Sequence, residues 1–318
     1  MTSFLARLLP GRLPPRAIDL VLRVAVKRRL ARESDPLAFR RNLEAAAPLM
    51  RDPGDARYRD IVLRIGRREV EAVWATAAGS ATDDAPVILY LHGGAYLAGS
   101  RRTHRHLGAA LAGAAGMRAL VIDYRLAPEH RLPSALKDAR VAWDWLVAEG
   151  VPPDRIALAG DSAGGGLALS LLADLTADRQ PLPAALVAFS PWADLRGLAQ
   201  SLKANAESDA MLPADKLREV VGHCLGADGD PTDWRVSPIL ARFDRPPPAM
   251  IFASMQEILL DDALGVVEAL RLAGSDPVLE LRDGLPHAWP IFRGYLREAD
   301  AAVAQAGGFL AATIKHRE

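Results

Sequence analysis

The residues with the clearest chemical meaning form the pentapeptide Gly160-Asp161-Ser162-Ala163-Gly164, which follows an apolar run and precedes a helical one. A serine between a strand and a helix lies on a very tight turn, where a side chain at either outer position would clash, so glycine is needed there. Such a turn presents the hydroxyl above the edge of the sheet. Ser162 is therefore the candidate nucleophile; the alternative is an ordinary Gly/Ser loop, since such short matches also arise by chance.

A second motif, His92-Gly93-Gly94-Ala95, directly follows the apolar run 87–91. Acyl transfer places negative charge on a carbonyl oxygen, and each preorganised N–H donor at that point lowers the barrier by about 3 kcal/mol. Two glycines let the backbone approach a substrate closely. We expect the oxyanion donors among the N–H groups of Gly93, Gly94 and Ala95, together with that of Ala163.

The candidate base is His287, in the short loop after the last predicted strand. A serine at neutral pH is a poor nucleophile and needs a neutral imidazole to accept its proton. A histidine in this position can reach the carboxyl edge of the sheet, and the order serine, acid, histidine favours it. The other histidines lie before the serine, in the oxyanion loop, in an insertion or at the C-terminus: His92, His104, His106, His130, His223 and His316.

Three carboxylates after the apolar run 249–253 compete for the role of the acid that orients His287. Asp261 and Asp262 fit the first turn of the following helix, where the helix dipole favours a negative charge and explains them structurally. Glu257 lies nearer the strand end and is expected to point into the crevice. We therefore assign the acid to Glu257.

The elements that must position these residues alternate along the chain. Alternating apolar residues predict an antiparallel hairpin over 58–76. Apolar runs predict strands at 87–91, 118–123, 155–159, 184–189, 249–253 and 277–281, and helices are predicted at 135–149, 163–176, 260–273 and 293–314. This alternation predicts an α/β fold with a mostly parallel central sheet flanked by helices.

Two regions depart from the alternation. Residues 1–55 are helical and amphipathic, and residues 195–244 form a polar, mixed insertion. Insertions after strand carboxyl ends lie over the ligand crevice, so residues 195–244 are a lid candidate. Residues 1–55 are either part of a lid or a helix packed on its own domain, and a basic face touching a membrane is a weaker third alternative. The core then comprises residues 56–194 and 245–318, within one structural unit.

Composition narrows the function classes. Lys plus Arg equals Asp plus Glu at 39 each, so no general attraction to nucleic acid is expected. The single cysteine, Cys224, cannot form an intramolecular disulfide and is interpreted as a packing residue. We find no membrane span and no signal peptide, so we expect a cytoplasmic protein without stable membrane insertion.

Together these motifs resemble the hormone-sensitive-lipase-like family of bacterial α/β-hydrolases, carboxylesterases with a His-Gly-Gly-Gly loop and a Gly-Asp-Ser-Ala-Gly elbow. The resemblance runs from about residue 87 to the C-terminus and includes Asp123-Tyr124-Arg125-Leu126-Ala127-Pro128-Glu129, Ser190-Pro191-Trp192 and Pro286-His287. It implies a lid made from the N-terminal helices and the late insertion. It is also compatible with a homodimer through the sheet edge.

The chain departs from the family pattern at two places. The third glycine of the oxyanion loop is Ala95, which keeps its N–H and adds a methyl group toward the acyl pocket. The acid motif Asp-Pro-Leu-x-Asp aligns with residues 257–261, so the resemblance also places the acid at Glu257 and gives Asp261 a supporting role. Arg125 and Glu129 are expected to form a structural pair.

The resulting expectation is a serine-dependent carboxylic ester hydrolase that needs no metal or cofactor and acts on short to medium acyl or otherwise small hydrophobic esters through an acyl-enzyme. A lactone hydrolase or an amidase would use the same triad of Ser162, Glu257 and His287. The resemblance also extends to non-catalytic ligand receptors of the plant gibberellin type, which lack the triad histidine.

Overall fold

The computed structural model describes residues 12–80 and 84–315. The first part of the predicted lid, residues 1–11, and His316 lie outside the described residues. The strands are β1 (Arg57–Ile65), β2 (Arg68–Thr76), β3 (Val87–Leu91), β4 (Arg118–Asp123), β5 (Ile156–Asp161), β6 (Ala185–Phe189), β7 (Ala249–Ser254) and β8 (Val278–Arg282).

The helices interleave with these strands. The N-terminal ones are α1 (Pro15–Val21), which continues through a π-helical segment (Leu22–Lys27) into α2 (Arg28–Leu30), and α3 (Pro36–Ala46). The others are α4 (Arg101–Ala115), α5 (Ser134–Ala148), α6 (Ala163–Ala177), α7 (Ser201–Ala204), α8 (Leu217–Leu225), α9 (Leu260–Leu272) and α10 (Arg297–Lys315). Short 3₁₀ turns lie at Ala47–Leu49, Pro153–Arg155, Ala214–Lys216, Pro238–Leu240 and Trp289–Phe292.

Within the described residues, eight strands form one sheet in the order β1-β2-β4-β3-β5-β6-β7-β8. β1 and β2 form the predicted antiparallel hairpin, and β2 also pairs antiparallel with β4. All other neighbouring pairs are parallel. The predicted fold class, an α/β-hydrolase fold with a mostly parallel sheet, is confirmed.

Helices cover both faces of the sheet because successive strand residues point to opposite sides. In β3, Leu89 and Leu91 pack into one core with α5, α6 and α9, whereas Ile88 and Tyr90 pack into the other with α4 and α10. All five β3 residues are buried, as expected for a strand covered on both faces.

The structure differs from the sequence-based expectations in three places. Helix α4 was not predicted, although Ser100 and Thr103 form a capping box at its start. Helix α10 begins at Arg297, after a 3₁₀ turn, rather than at residue 293. The expected pairing of Arg125 with Glu129 is wrong.

The two side chains have other partners. Arg125 lies 2.8 Å from Asp138 of α5, and Glu129 lies 2.8 Å from Arg40 of α3. Arg40 is 89 residues away from Glu129 in the chain, whereas Asp138 is 13 residues away from Arg125. Each pairing places a carboxylate against a guanidinium at close range.

None of the helices seen between residues 12 and 315 has the length and apolar character that crossing a membrane would require.

Candidate active site

Ser162 lies at the sharp turn between β5 and α6. Its backbone has φ 52° and ψ −122°, a conformation that a non-glycine residue adopts only where the surroundings enforce it. A Cβ on Gly160 would meet the Gly164 carbonyl, and one on Gly164 would meet the Leu91 carbonyl. The two outer glycines are therefore required by close backbone approach, as the sequence predicted.

Hydrogen bonds on both sides hold Ser162 in this conformation. Its N–H donates to the Phe189 carbonyl at 2.8 Å, and its carbonyl accepts from the N–H groups of Gly166 at 3.1 Å and Trp192 at 2.9 Å. Bonds to the end of β6, to the segment after it and to the first turn of α6 thus sustain the strained backbone of Ser162.

Glu257 and His287 form a buried pair, with Nδ1 of the imidazole 2.6 Å from Oε2 of the carboxylate. The side chains are 0% and 1% exposed, respectively. The second oxygen of Glu257 accepts the N–H of Ser254 at 3.0 Å. Nε2 of His287 has no hydrogen-bond partner among the described residues, so the ring is oriented by one nitrogen and keeps the other available.

The pKa of His287 reflects two opposing effects. Burial alone lowers the imidazole pKa, but the hydrogen bond and the negative charge of Glu257 outweigh it, and the pKa is raised above 6.5. Glu257 therefore favours the protonated form of the His287 imidazole.

The two competing carboxylates are engaged elsewhere. One Asp262 oxygen accepts the N–H groups of Ala193 and Asp194, each at 2.8 Å. Asp261 accepts the Ser201 N–H at 2.8 Å. Both tie the start of α9 to the segment after β6, and neither is paired with His287.

The loop carrying His287 is tied to the turn of Ser162 through the end of β6. Ser190 directly follows Phe189, whose carbonyl binds the Ser162 N–H, and Ser190 Oγ accepts the N–H of Ala288 at 3.0 Å. Adjacent residues thus hold the serine turn and the histidine loop. The Ser190-Pro191-Trp192 motif was noted in the sequence, but its positioning role was not.

One of the expected oxyanion donors, the Gly93 N–H, makes a hydrogen bond within the protein instead. The Gly93 N–H donates to Asp161 at 3.1 Å, so it is not free to bind an oxyanion. Gly94 has φ 123°, which favours glycine, and Ala95 has φ 57°. In the described part of the chain, the N–H groups of Gly94, Ala95 and Ala163 have no acceptor, and they are the donors that remain.

Asp161 links the serine turn to this loop, a role that the sequence interpretation missed. Besides the Gly93 N–H, it accepts the Tyr90 hydroxyl at 2.7 Å, and it lies 3.4 Å from His104 Nε2 of α4. Burial alone raises the carboxyl pKa, but the charge and hydrogen bond of His104 and the bond from Tyr90 lower it overall. The signal that could have found this role was His104, a histidine to which the sequence interpretation gave no role.

Two other residues have structural roles. Burial lowers the pKa of His92 to about 3, and its ring stacks on Tyr124 with centroids 4.1 Å apart. Cys224 is fully buried and donates to the Ala95 carbonyl at 3.3 Å, consistent with the predicted packing role. Between residues 12 and 315, outside the gap at 81–83, no group of three or more His, Cys, Asp or Glu side chains could hold a metal ion.

A cavity of about 110 Å³ opens onto Ser162 and Ala95. Its wall comes from both lid candidates and from the core. The N-terminal segment contributes Leu30, Glu33, Ser34, Asp35, Pro36 and Phe39, and the insertion contributes Leu212, Pro213, Lys216, Leu217, Glu219, Val220 and His223. The core contributes Leu97, Trp192, Ile258 and Leu259.

Comparisons with known proteins agree with this geometry. Residues 88–291 match a family described as having the alpha/beta hydrolase fold. An acetyl-hydrolase of Streptomyces hygroscopicus is 37% identical over 86% of this chain and 88% of its own length. An esterase of Acinetobacter venetianus is 35% identical over 73% of this chain and 76% of its own.

A solved structure points the same way. It is an esterase of the bacterial hormone-sensitive lipase family, 37% identical, with a TM-score of 0.86 over 94% of this chain and 98% of its own.

Proposed function

This chain belongs to the hormone-sensitive-lipase-like family of α/β hydrolases, and from that premise we propose that it is a serine-dependent carboxylic ester hydrolase. The observation that carries the proposal is the buried Glu257–His287 pair, whose free Nε2 belongs to a loop tied to the strained serine turn. Several relatives are named as esterases or an acetyl-hydrolase, which supports the reaction class.

In the proposed mechanism, Ser162 Oγ attacks the ester carbonyl carbon while His287 Nε2 takes the hydroxyl proton. The tetrahedral intermediate collapses, and the alcohol leaves with that proton. A water molecule then gives a proton to His287 and attacks the acyl-enzyme, which releases the carboxylic acid and returns the proton to Ser162. Glu257 holds the ring tautomer and stabilises its positive charge in both steps.

The oxyanion is proposed to bind the N–H groups of Gly94, Ala95 and Ala163. Gly93 is withdrawn from this set because Asp161 occupies its N–H. Asp161 instead fixes the loop, so that the remaining donors keep their orientation before the substrate arrives.

For the substrate, we propose short to medium acyl or otherwise small hydrophobic esters. The small cavity has largely apolar walls, and Ala95 lines it beside Ser162. Residues 1–55 and 195–244 are proposed to act as a lid, because both segments contribute to the cavity wall above the serine. Lactones and amides are the alternative substrates for the same triad.

The test compares wild type with Ser162→Ala on p-nitrophenyl acetate and butyrate. We expect the variant to lose essentially all activity and to escape labelling by a fluorophosphonate probe. Ser170→Ala is the matched control, because Ser170 lies in α6, is buried and has no hydrogen-bond partner among the described residues. Equal rates for wild type and Ser162→Ala would remove the nucleophile assignment.

The same panel addresses the alternatives. Faster turnover of lactones or anilides than of the esters would reassign the substrate class. A folded wild-type protein that neither hydrolyses esters nor reacts with the probe would instead favour the non-catalytic binding homologue.

A further inference from the structure

The loop that carries the acid is held by a segment of the insertion. We call residues 205–209 (Asn205-Ala206-Glu207-Ser208-Asp209) the bridging turn and residues 255–258 the acid loop. Each of the four acid-loop residues has a backbone group hydrogen-bonded to a side chain of the bridging turn, as follows. Asn205 Nδ2 donates to the carbonyls of Met255 at 3.0 Å and Glu257 at 2.9 Å, Ser208 Oγ donates to that of Gln256 at 3.0 Å, and the Ile258 N–H donates to Asp209 at 2.9 Å.

Asp209 is the centre of this arrangement. Its side chain is buried, and one oxygen accepts the Ile258 N–H next to Glu257. The other oxygen accepts the N–H groups of Met211 and Leu212, each at 2.8 Å. Leu212 lines the cavity, so one carboxylate joins the acid loop to the cavity wall.

The N-terminal helical segment holds the opposite side of the bridging turn. Lys27 Nζ donates to the carbonyls of Ala206 at 2.7 Å and Asp209 at 2.6 Å. Arg23 donates to the carbonyls of Glu207 at 2.6 Å and Ser208 at 2.5 Å. Four hydrogen bonds from cationic side chains therefore hold the bridging turn on the side opposite the acid loop. Such charge-assisted hydrogen bonds are stronger than those between neutral groups.

We infer that Asp209 is a positioning residue for the catalytic acid, and that the N-terminal helix, through Lys27 and Arg23, is part of the support that aligns Glu257 with His287. This inference rests on the proposed function, because it acts through the Glu257–His287 pair. It assigns the N-terminal segment a role in the chemical step besides its contribution to the cavity wall.

The charges around the pair fit this assignment. His287 is surrounded by the negative charges of Glu257, Asp209 and Asp161, all of which raise its pKa against the effect of burial. Asp209 in turn interacts electrostatically with Lys27 and Asp19 of the N-terminal segment. Removing its charge therefore weakens the support for the imidazolium as well as the hydrogen bond to the acid loop.

The first test measures kcat, KM and the pH profile of Asp209→Asn. We expect kcat to fall about tenfold, because an amide cannot accept on both sides and leaves a buried N–H unpaired. KM should change little, and the acid limb of the profile should move to lower pH. Asp230→Asn is the control, since Asp230 also accepts a backbone N–H in the insertion but is exposed.

A double variant tests whether Asp209 acts through the acid. In a Glu257→Gln background, Asp209→Asn should have little further effect on kcat, because the function it supports is already lost. Additive losses would mean that Asp209 acts independently of Glu257, and would overturn the inference.

The second test uses neighbouring residues of the N-terminal segment and does not alter the buried acid. Lys27→Met should lower kcat several-fold and leave KM nearly unchanged, because the bridging turn loses two of its four hydrogen bonds from the N-terminal segment. Arg28→Met should leave both constants unchanged, because Arg28 is exposed and those two bonds to the bridging turn come from Lys27. A change in KM alone for Lys27→Met would mean that the N-terminal segment contributes only to the cavity wall, and would contradict the inference.

The outcomes separate this inference from the proposed function. If Ser162→Ala abolishes activity while Asp209→Asn and Lys27→Met match wild type in kcat and pH profile, ester hydrolysis stands and the inference fails. If wild type itself is inactive and unlabelled, the proposed function fails first. Thermal unfolding of each variant identifies any loss that comes from misfolding, and Lys27→Met decides the inference if Asp209→Asn does not fold.

Discussion

At the scale of single residues, two chemically similar carboxyl groups of the site have different hydrogen-bond partners and therefore different roles. Glu257 and Asp262 are both buried carboxyls near the start of α9. Glu257 faces an imidazole, whereas Asp262 faces two backbone N–H groups. The pairing with His287 therefore supports the proposal that Glu257 is the acid, which its position near the strand end had already favoured over Asp261 and Asp262.

This division predicts the effect of Glu257→Gln. We expect kcat to fall by about a hundredfold or more, because the imidazole loses the group that sets its tautomer and stabilises its charge. His287 must be neutral to act as a base. In the wild type, burial lowers the His287 pKa, and Glu257 more than offsets that effect. Without that carboxylate, burial dominates, so the acid limb of kcat/KM should move to lower pH.

Asp262→Asn provides the comparison, measured by the same pH–rate profiles. It should cost far less activity, because an amide oxygen can still accept the N–H groups of Ala193 and Asp194. The opposite ranking of the two variants would move the role of the acid from Glu257 to Asp262.

At the scale of elements, the packing of α10 against α4 depends on one of two adjacent glycines. Gly307 is buried, and a Cβ there would meet Ala114 near the end of α4. Gly308 is exposed, and a Cβ at that position would find open space for 4 Å around it. The two positions lie in the same helix but differ in the space available to a side chain.

The two alanine substitutions should therefore have opposite effects on unfolding in urea. Gly308→Ala should raise the free energy of unfolding by about 0.5–1 kcal/mol, because alanine is the better helix former. Gly307→Ala should lower it by about 1–3 kcal/mol, because the helices must separate to admit the methyl group. Equal effects at the two positions would show that α10 does not pack on α4 as described.

At the scale of the whole molecule, stability responds to groups that folding buries. Burial raises the pKa of Asp262 to about 8, against 3.8 for an unperturbed aspartate. Between these values the folded protein retains a proton that the unfolded chain releases. The contribution of Asp262 to the unfolding free energy therefore falls as pH rises through that window.

Asp262→Asn removes this titration, so the variant should lose less stability than wild type between pH 5 and pH 8. The limiting difference for one proton is about 1.4 kcal/mol per pH unit. Urea unfolding at several pH values measures it. Parallel stability profiles for the two proteins would contradict a raised pKa at Asp262.

The sequence alone determined the features that depend on a few consecutive residues. The strands, the hairpin and the glycine-flanked turn of Ser162 follow from local pattern, because a buried strand needs continuous apolar residues and a tight turn needs residues without side chains. The order of Ser162, Glu257 and His287 after such strands then placed all three at one edge of a parallel sheet.

Only the tertiary structure decided which groups meet there. It assigned the Gly93 N–H to Asp161, gave Arg125 and Glu129 separate partners, and packed the bridging turn on the acid loop. Apart from the Arg125–Asp138 pair, these contacts join residues at least 48 positions apart, and the sequence around each partner does not indicate which residue it will meet. Hydrogen bonds of buried polar groups are completed by whichever donors or acceptors packing brings within reach, and that reach is a property of the folded chain.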